Sequence, residues 1–163
     1  MNIFISYSWE NNIFVEKLDA LFMSIGIKLR RDVRDVKYKQ SIKAYMKTIR
    51  DTDLCLMVIS DHFLKSKNCM YEVLEFIKDE NYEKKILPII YGNLKIFNAR
   101  DRHCYIEYWQ NEFENINRLC SETDILTQID IIQELKIIEN IKLNISDFLA
   151  SISDLKLIIK KMN

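Results

Sequence analysis

Glycine is almost missing from this chain: among 163 residues only Gly26 and Gly92 are glycine. Phosphate-binding loops of the G-x-x-x-x-G-K type and dinucleotide fingerprints of the G-x-G-x-x-G type need several glycines to bring backbone amides onto phosphate, so neither is encoded. Any nucleotide is held in some other way. Histidine is equally scarce, His62 and His103 standing far apart, and Cys55, Cys69, Cys104 and Cys120 contain no C-x-x-C pair. A metal site would have to be assembled by the fold from scattered ligands, and none is expected. No sign of charge prevails, with 24 Lys plus Arg against 24 Asp plus Glu, so no global field draws in nucleic acid or an anionic membrane. The opening MNIFISYSWE lacks the basic-then-apolar pattern of a secretory signal, and no apolar run approaches the ~18 residues of a membrane span. Four unpatterned cysteines then fit a reducing cytoplasm.

What the chain does contain is the makings of a folded core. The composition is 48% hydrophobic, 11% aromatic and 29% charged, that of a globular protein rather than a disordered one. The length points to one domain spanning residues 1–163, large enough to bury a core without a disulfide or metal staple.

Short apolar runs alternate with amphipathic stretches. Residues 2–6 (NIFIS) read as a first strand. From Glu10 to Ser24, Ile13, Phe14, Leu18, Leu21 and Phe22 recur at helical spacing, and Gly26 stands where a helix ends. Ile27 to Arg31 reads as a second strand, and Ser41 to Asp51 as a helix with Ile42, Tyr45, Met46 and Ile49 on one face. Leu54 to Ile59 (LCLMVI) is continuously apolar, as a strand covered on both sides must be. A helix from Cys69 to about Asp79 follows, then a fourth strand from Ile86 to Tyr91, in which Pro88 marks an edge or bulged position. In the last third Tyr105 to Trp109 reads as a short fifth strand, Gln110 to Cys120 as a helix and Gln128 to Lys161 as one or two long helices. Parallel neighbours need a crossover, usually a helix, so the alternation predicts an α/β fold with a parallel sheet.

Open parallel sheets bind ligands beyond the carboxyl ends of their strands, where strand order reverses. For a flavodoxin-like, doubly wound order 2-1-3-4-5, with helices on both faces, that crevice lies beside strands one and three. Delivered there are Ser6, Tyr7, Ser8 and Trp9 from the first strand, and Ser60, Asp61 and the segment to Glu72 from the third. Hydroxyls, aromatic faces and a carboxylate are expected to converge on one cleft.

Several segments resemble, in order and spacing, the TIR (Toll/interleukin-1 receptor) domains of the bacterial kind. Phe4-Ile5-Ser6-Tyr7-Ser8 is similar to their opening box, Arg31-Asp32-Val33-Arg34-Asp35 through Ile42 to the loop after the second strand, and Asp53 to Ser60 to the third strand. Phe63 to Leu74 is similar to the segment whose S-x-x-C-x-x-E pattern carries the family's catalytic glutamate, here Ser66, Cys69 and Glu72, and Asn140 to Leu155 resembles the long closing helix. Gly92 to Gln128 matches least well.

The resemblance implies an enzyme that cleaves NAD+ between nicotinamide and ribose, a glycohydrolase or ADP-ribosyl cyclase serving anti-phage immunity. NAD+ is the substrate and no further cofactor is implied. Breaking that bond builds positive charge on the ribose, which a nearby carboxylate stabilises, and nicotinamide leaves without a general acid because it is already cationic in NAD+. Glu72 is thereby the implied catalytic residue. Ser6, Tyr7, Ser8, Trp9, Arg31, Arg34, Asn68 and Cys69 are the implied substrate-binding residues. Asn68 stands where the family commonly has tryptophan, which leaves Tyr7 and Trp9 as candidates to stack on nicotinamide; Trp9 reads equally well as a cap over the first helix. Cys69 has no histidine near it in sequence and reads as a packing residue. Glu75, three residues past Glu72, reads as solvated. The basic run Arg30, Arg31, Arg34, Lys37 and Lys39 reads either as a contact for pyrophosphate or a partner, or as a solvated loop balanced by Asp32 and Asp35. The expected partners are NAD+, further TIR domains through homotypic association, and a fused or separate sensor domain. A TIR module that signals by assembly without catalysis is the main rival, and a flavodoxin-like receiver domain a weaker third.

Overall fold

A computed structural model describes residues 1–31, 52–78, 80–122, 128–154 and the pair 158–159. The described elements are β1 (Ile3–Tyr7), a 3-10 turn (Trp9–Asn11), α1 (Asn12–Ser24), β2 (Leu29–Arg30), β3 (Leu54–Ile59), α2 (Asp61–Lys65), α3 (Lys67–Phe76), α4 (Tyr82–Lys85), β4 (Ile86–Ile90), α5 (Ala99–Glu122), α6 (Gln128–Asp154) and β5 (Ile158–Ile159). The expected helix at Ser41 to Asp51, and Arg34 with the rest of the basic run from Asp32 onward, lie outside the described residues. The chain divides into two compact units, one built on Met1–Leu94 together with β5, the other on Lys95–Lys156.

In the first unit every strand pairing is parallel. The four strands expected from sequence form the order 2-1-3-4, and β5 adds a two-residue edge beside β4. The register runs from Ile3 opposite Leu54 to Tyr7 opposite Val58, so β1 and β3 end together. Pro88 pairs with Met57 on one side, while β5 meets β4 only at Ile89 and Ile90. The proline, which has no N–H to donate, thus sits where β4 has no outer neighbour among the described residues.

Side chains alternate across a strand. Ile3, Ile5 and Tyr7 pack with Leu29, Leu56, Val58 and Val15 of α1 in one core layer, flanked by Phe14, Leu18 and Phe22. Phe4, Ser6, Cys55, Met57 and Ile59 therefore face the opposite layer, and all are buried. Truncating a fully buried member such as Leu29 to alanine costs about 2–5 kcal/mol. Helix α1 stops in a Schellman turn: the Ile27 amide donates to the Phe22 carbonyl at 2.9 Å and the Gly26 amide to Met23 at 3.0 Å. Gly26 has φ +79° there, the left-handed conformation for which glycine is the default residue.

The second unit is a pair of long helices. Arg102 donates to Ser153 Oγ at 3.3 Å and Lys142 lies 3.8 Å over the Phe113 ring, pairings that run α5 and α6 antiparallel. Two expectations fail here. Tyr105 to Trp109 is not a strand but part of α5; its β-branched and aromatic composition is strand-like, yet its two buried residues, Tyr105 and Trp109, are one helical turn apart. The closing helix ends at Asp154, and the fifth strand is drawn from Ile158–Ile159, inside the stretch read as helix.

Candidate active site

The loop after β3 is organised by two serine caps. Ser60 Oγ accepts from the Phe63 amide at 3.1 Å and starts α2, while Ser66 ends α2 and starts α3, its Oγ accepting from the Cys69 amide at 3.3 Å. Such caps are worth ~1 kcal/mol each. Ser60 Oγ also donates to Asn11 Oδ1 at 2.7 Å, which ties the end of β3 to the 3-10 turn after β1. Seven of the ten residues of α3 are buried: Cys69, Met70, Glu72, Val73, Leu74, Glu75 and Phe76.

Glu72 points from α3 to the end of β1. It is 6% exposed, Ser6 beside it is 1% exposed, and the Ser6 hydroxyl donates to Glu72 Oε2. Ionised carboxylates are almost never buried unless they are paired or hydrogen-bonded, so this placement sets Glu72 apart from an ordinary helix glutamate. One turn earlier on α3, Cys69 Sγ donates to the Tyr7 carbonyl at 3.4 Å and fastens the start of the helix to the strand that carries Ser6. On β3, Cys55 stands opposite Phe4, and burial pushes its thiol well above the ordinary range, with the charge of Glu72 adding to the effect. Cys55 therefore stays a neutral thiol at neutral pH.

The hydroxyls, rings and carboxylate do not meet in one cleft as expected. Tyr7, next to Ser6, points to the α1 layer and is 4% exposed. There Arg31 Nη2 donates to Tyr7 Oη at 2.8 Å and to Asn12 Oδ1 at 2.7 Å, its Nη1 lies 3.5 Å from Asp19 Oδ2, and its guanidinium sits 5.3 Å from the centre of the Tyr7 ring. Burial alone disfavours the Arg31 charge, but the Tyr7 hydroxyl and Asp19 outweigh it, and the pKa is raised overall. The physical reason for the split is the period of two: consecutive residues Ser6 and Tyr7 must leave a strand on opposite faces.

The other expected site residues are distributed as follows. Ser8 is buried and its carbonyl accepts from the Asn11 amide at 2.7 Å. Trp9 is 68% exposed at the start of the 3-10 turn. Asn68 is exposed on the first turn of α3, and Cys69 is buried. Glu75 is not solvated as expected: it is 3% exposed, because α3 is enclosed on nearly every side, and the half-exposed Lys78 reaches back to it at 2.6 Å. Sequence reading missed Asn11, Asn12, Asp19 and Cys55, four residues that shape the two faces. Only Asn12 and Asp19 carried any signal, as polar residues inside an apolar helical pattern. Among the described residues no group of three His, Cys, Asp or Glu side chains is arranged to hold a metal ion. Among them, too, no helix is long and apolar enough to cross a membrane.

Comparison with known proteins agrees with this architecture. The TIR domain family matches residues 3–120. The fold is similar to the TIR domain of the Toll-related receptor TRR-2 from Hydra magnipapillata, at 21% identity and a TM-score of 0.50, with 69% of this chain and 95% of that one covered. It is also similar to the TIR domains of the activated Roq1 resistosome recognising the pathogen effector XopQ, at 20% identity and a TM-score of 0.58, with 89% and 83% covered. No curated protein matches in sequence. With the family matched from the first strand through α5 and the parallel order 2-1-3-4 in place, the chain belongs to the TIR domain family.

Proposed function

We propose that this TIR domain cleaves NAD+ between nicotinamide and ribose, with Glu72 as the catalytic carboxylate, in the service of anti-phage defence. The observation that carries the reading is the buried Glu72 carboxylate held by the Ser6 hydroxyl where β1 and β3 end together. That is the crevice in which open parallel sheets bind their ligands. In the cleavage the C1′–N bond breaks and its electron pair leaves with nicotinamide, which departs neutral. The ribose passes through an oxocarbenium-like state that the fixed negative charge of Glu72 stabilises. Water then adds at C1′ and loses a proton to give ADP-ribose, or an intramolecular nucleophile closes a cyclic product. Of Tyr7 and Trp9, Trp9 is the ring exposed to solvent, whereas the ring of Tyr7 is enclosed and faces Arg31, so Trp9 is the better of the two for stacking on nicotinamide.

Two observations favour a second reading, signalling by assembly alone. Glu72 is nearly enclosed, as an internal tie would be, and Trp9, Ile13, Leu21, Met23 and Ile25 stay exposed along α1 and its flanks. Homotypic association is part of both readings, and the similarity to TIR domains of an assembled resistosome supports it.

The test is incubation of the chain with NAD+ over a wide range of protein concentration, with chromatographic separation of nicotinamide and the nucleotide product and light scattering on the same samples. Glu72→Gln, which keeps shape and loses charge, and Glu72→Ala are expected to abolish nicotinamide release at unchanged circular dichroism. Either variant retaining most of its activity while folded refutes the catalytic assignment. Assembly in the wild type with no release at any concentration favours the second reading.

A further inference from the structure

We propose that Asn11 is a positioning residue for substrate binding: by accepting a hydrogen bond from Ser60 it fixes the 3-10 turn that carries Trp9 beside the ends of β1 and β3. The proposal rests on the NAD+-cleaving reading, with Trp9 as the ring that stacks on nicotinamide. Asn11 stands at the N-cap of α1, where asparagine is among the favoured residues because its side-chain oxygen can accept from an amide of the first turn. It makes no such cap. The oxygen is turned instead to Ser60, 49 residues away in sequence, whose Oγ donates to Asn11 Oδ1 at 2.7 Å. A local bond that would stabilise the helix is left unmade, and a long-range bond that fixes the place of a turn is made with the same atom.

The turn is of a kind that benefits from a tie. Trp9–Asn11 is three residues long, closed by the Asn11 amide on the Ser8 carbonyl at 2.7 Å and by the Asn12 amide on the Trp9 carbonyl. Hydrogen bonds in 3-10 turns have poorer geometry than those of α-helices, and Ser8 at the start of this one adds no side-chain cap. The other end of the tie is firmly held. Ser60 Oγ accepts from the Phe63 amide at 3.1 Å and the Ser60 carbonyl from the Leu64 amide at 3.0 Å, so the one hydroxyl proton is directed to Asn11. Asn11 is 6% and Ser60 4% exposed, which keeps water from competing for the bond. Because β1 and β3 end together at Tyr7 and Val58, the tie lies just past the sheet at the place where strand order reverses. Trp9 is thereby carried on a turn referenced to the same strand ends as Ser6 and Glu72. The tie acts on the backbone of the turn, and the indole has a contact of its own besides.

The experiment uses the 163-residue chain with Asn11→Ser, Asn11→Asp, Trp9→Ala and the Asn11→Ser/Trp9→Ala double variant. Serine is a good N-cap but one bond shorter, so Asn11→Ser gives α1 a local cap and breaks the tie, while Asn11→Asp keeps the acceptor. The lost bond and the gained cap are of similar worth, and Tm of Asn11→Ser is expected within about 4 °C of wild type. Backbone 15N relaxation should show the order parameters of the Trp9 and Glu10 amides falling from about 0.85 to about 0.6 in Asn11→Ser and unchanged in Asn11→Asp. With NAD+, Asn11→Ser should raise KM about threefold and leave kcat within about twofold, with Asn11→Asp close to wild type, because stacking is made in the ground state as well as the transition state. The double variant should have the KM of Trp9→Ala alone, since a positioning effect has nothing to act through once the ring is gone. Unchanged relaxation or unchanged KM in folded Asn11→Ser overturns the proposal, as do KM effects that multiply in the double variant. An unchanged KM in Trp9→Ala overturns it too, by taking the ring out of the site. Absence of nicotinamide release from the wild type refutes the proposed function itself, and the role in substrate binding falls with it; release that persists while relaxation and KM stay unchanged refutes the positioning alone.

Discussion

Replacement of Arg31 by methionine keeps most of the side chain's length and removes its charge, and it should destabilise this fold. The guanidinium holds three elements together: it donates to Tyr7 of β1 at 2.8 Å and to Asn12 of α1 at 2.7 Å, and it pairs with Asp19 of α1 at 3.5 Å from its own place just past β2. A hydrogen bond from a charged group is worth about 1.5–3 kcal/mol, and breaking a buried ion pair from one side costs about 3–5 kcal/mol. The terms overlap, and the Arg31 and Asp19 side chains each keep 11% exposure, so the net loss expected is about 2–4 kcal/mol. For a chain of this size that lowers Tm by about 5–15 °C. Asp19→Asn retains an acceptor and should cost about 1 kcal/mol, and the double variant should be less destabilised than the sum of the two, because the partners are in contact. Urea unfolding and differential scanning calorimetry read both numbers. A folded Arg31→Met protein melting within about 2 °C of wild type refutes the structural account. If KM for NAD+ rises sharply instead, Arg31 belongs to the substrate.

Two further outcomes follow from the geometry. Trp9→Ala should raise KM for NAD+ about threefold to tenfold, the worth of one stacked ring, and leave kcat nearly unchanged, whereas Tyr7→Phe should lower stability and leave KM alone; the reverse pattern in steady-state kinetics would move the nicotinamide to the α1 layer. Cys55 has its pKa raised in the folded state, so it contributes stability that is complete below the ordinary thiol value of about 8.5 and is lost as pH rises above it toward the raised value. The urea midpoint should therefore fall more steeply above pH ~9 in wild type than in Cys55→Ala, and equal slopes would contradict the burial of a neutral thiol beside Glu72.

The sequence by itself determined the elements with a strong local pattern, whether an unbroken apolar run or a helical period. The continuously apolar LCLMVI, too short for a typical helix, reads as a strand covered on both faces, and Leu54–Ile59 is one. The α1 pattern ending at Gly26 is a helix with a left-handed stop, as the +79° φ of Gly26 shows. The order of the TIR-like segments carried the family as well, because box, loop and S-x-x-C-x-x-E segment occur at the right intervals along one chain. Tertiary structure decided what a linear pattern does not hold. Tyr105 to Trp109 has a strand's composition in too short a window to reveal a helical period, and its place in a 24-residue helix overrides local preference. Ile158–Ile159 is a strand only because it lies beside β4. Most of all, Ser6 and Tyr7 look like one polar cluster in sequence, yet the pleat sends them to opposite sides of the sheet, one to Glu72 and the other to Arg31. Whether a glutamate on a helix is solvent-facing or enclosed depends on how many other elements pack around that helix. Glu72 and Glu75 are enclosed because α3 is packed on nearly all sides, a property of the assembled fold and of no residue within it.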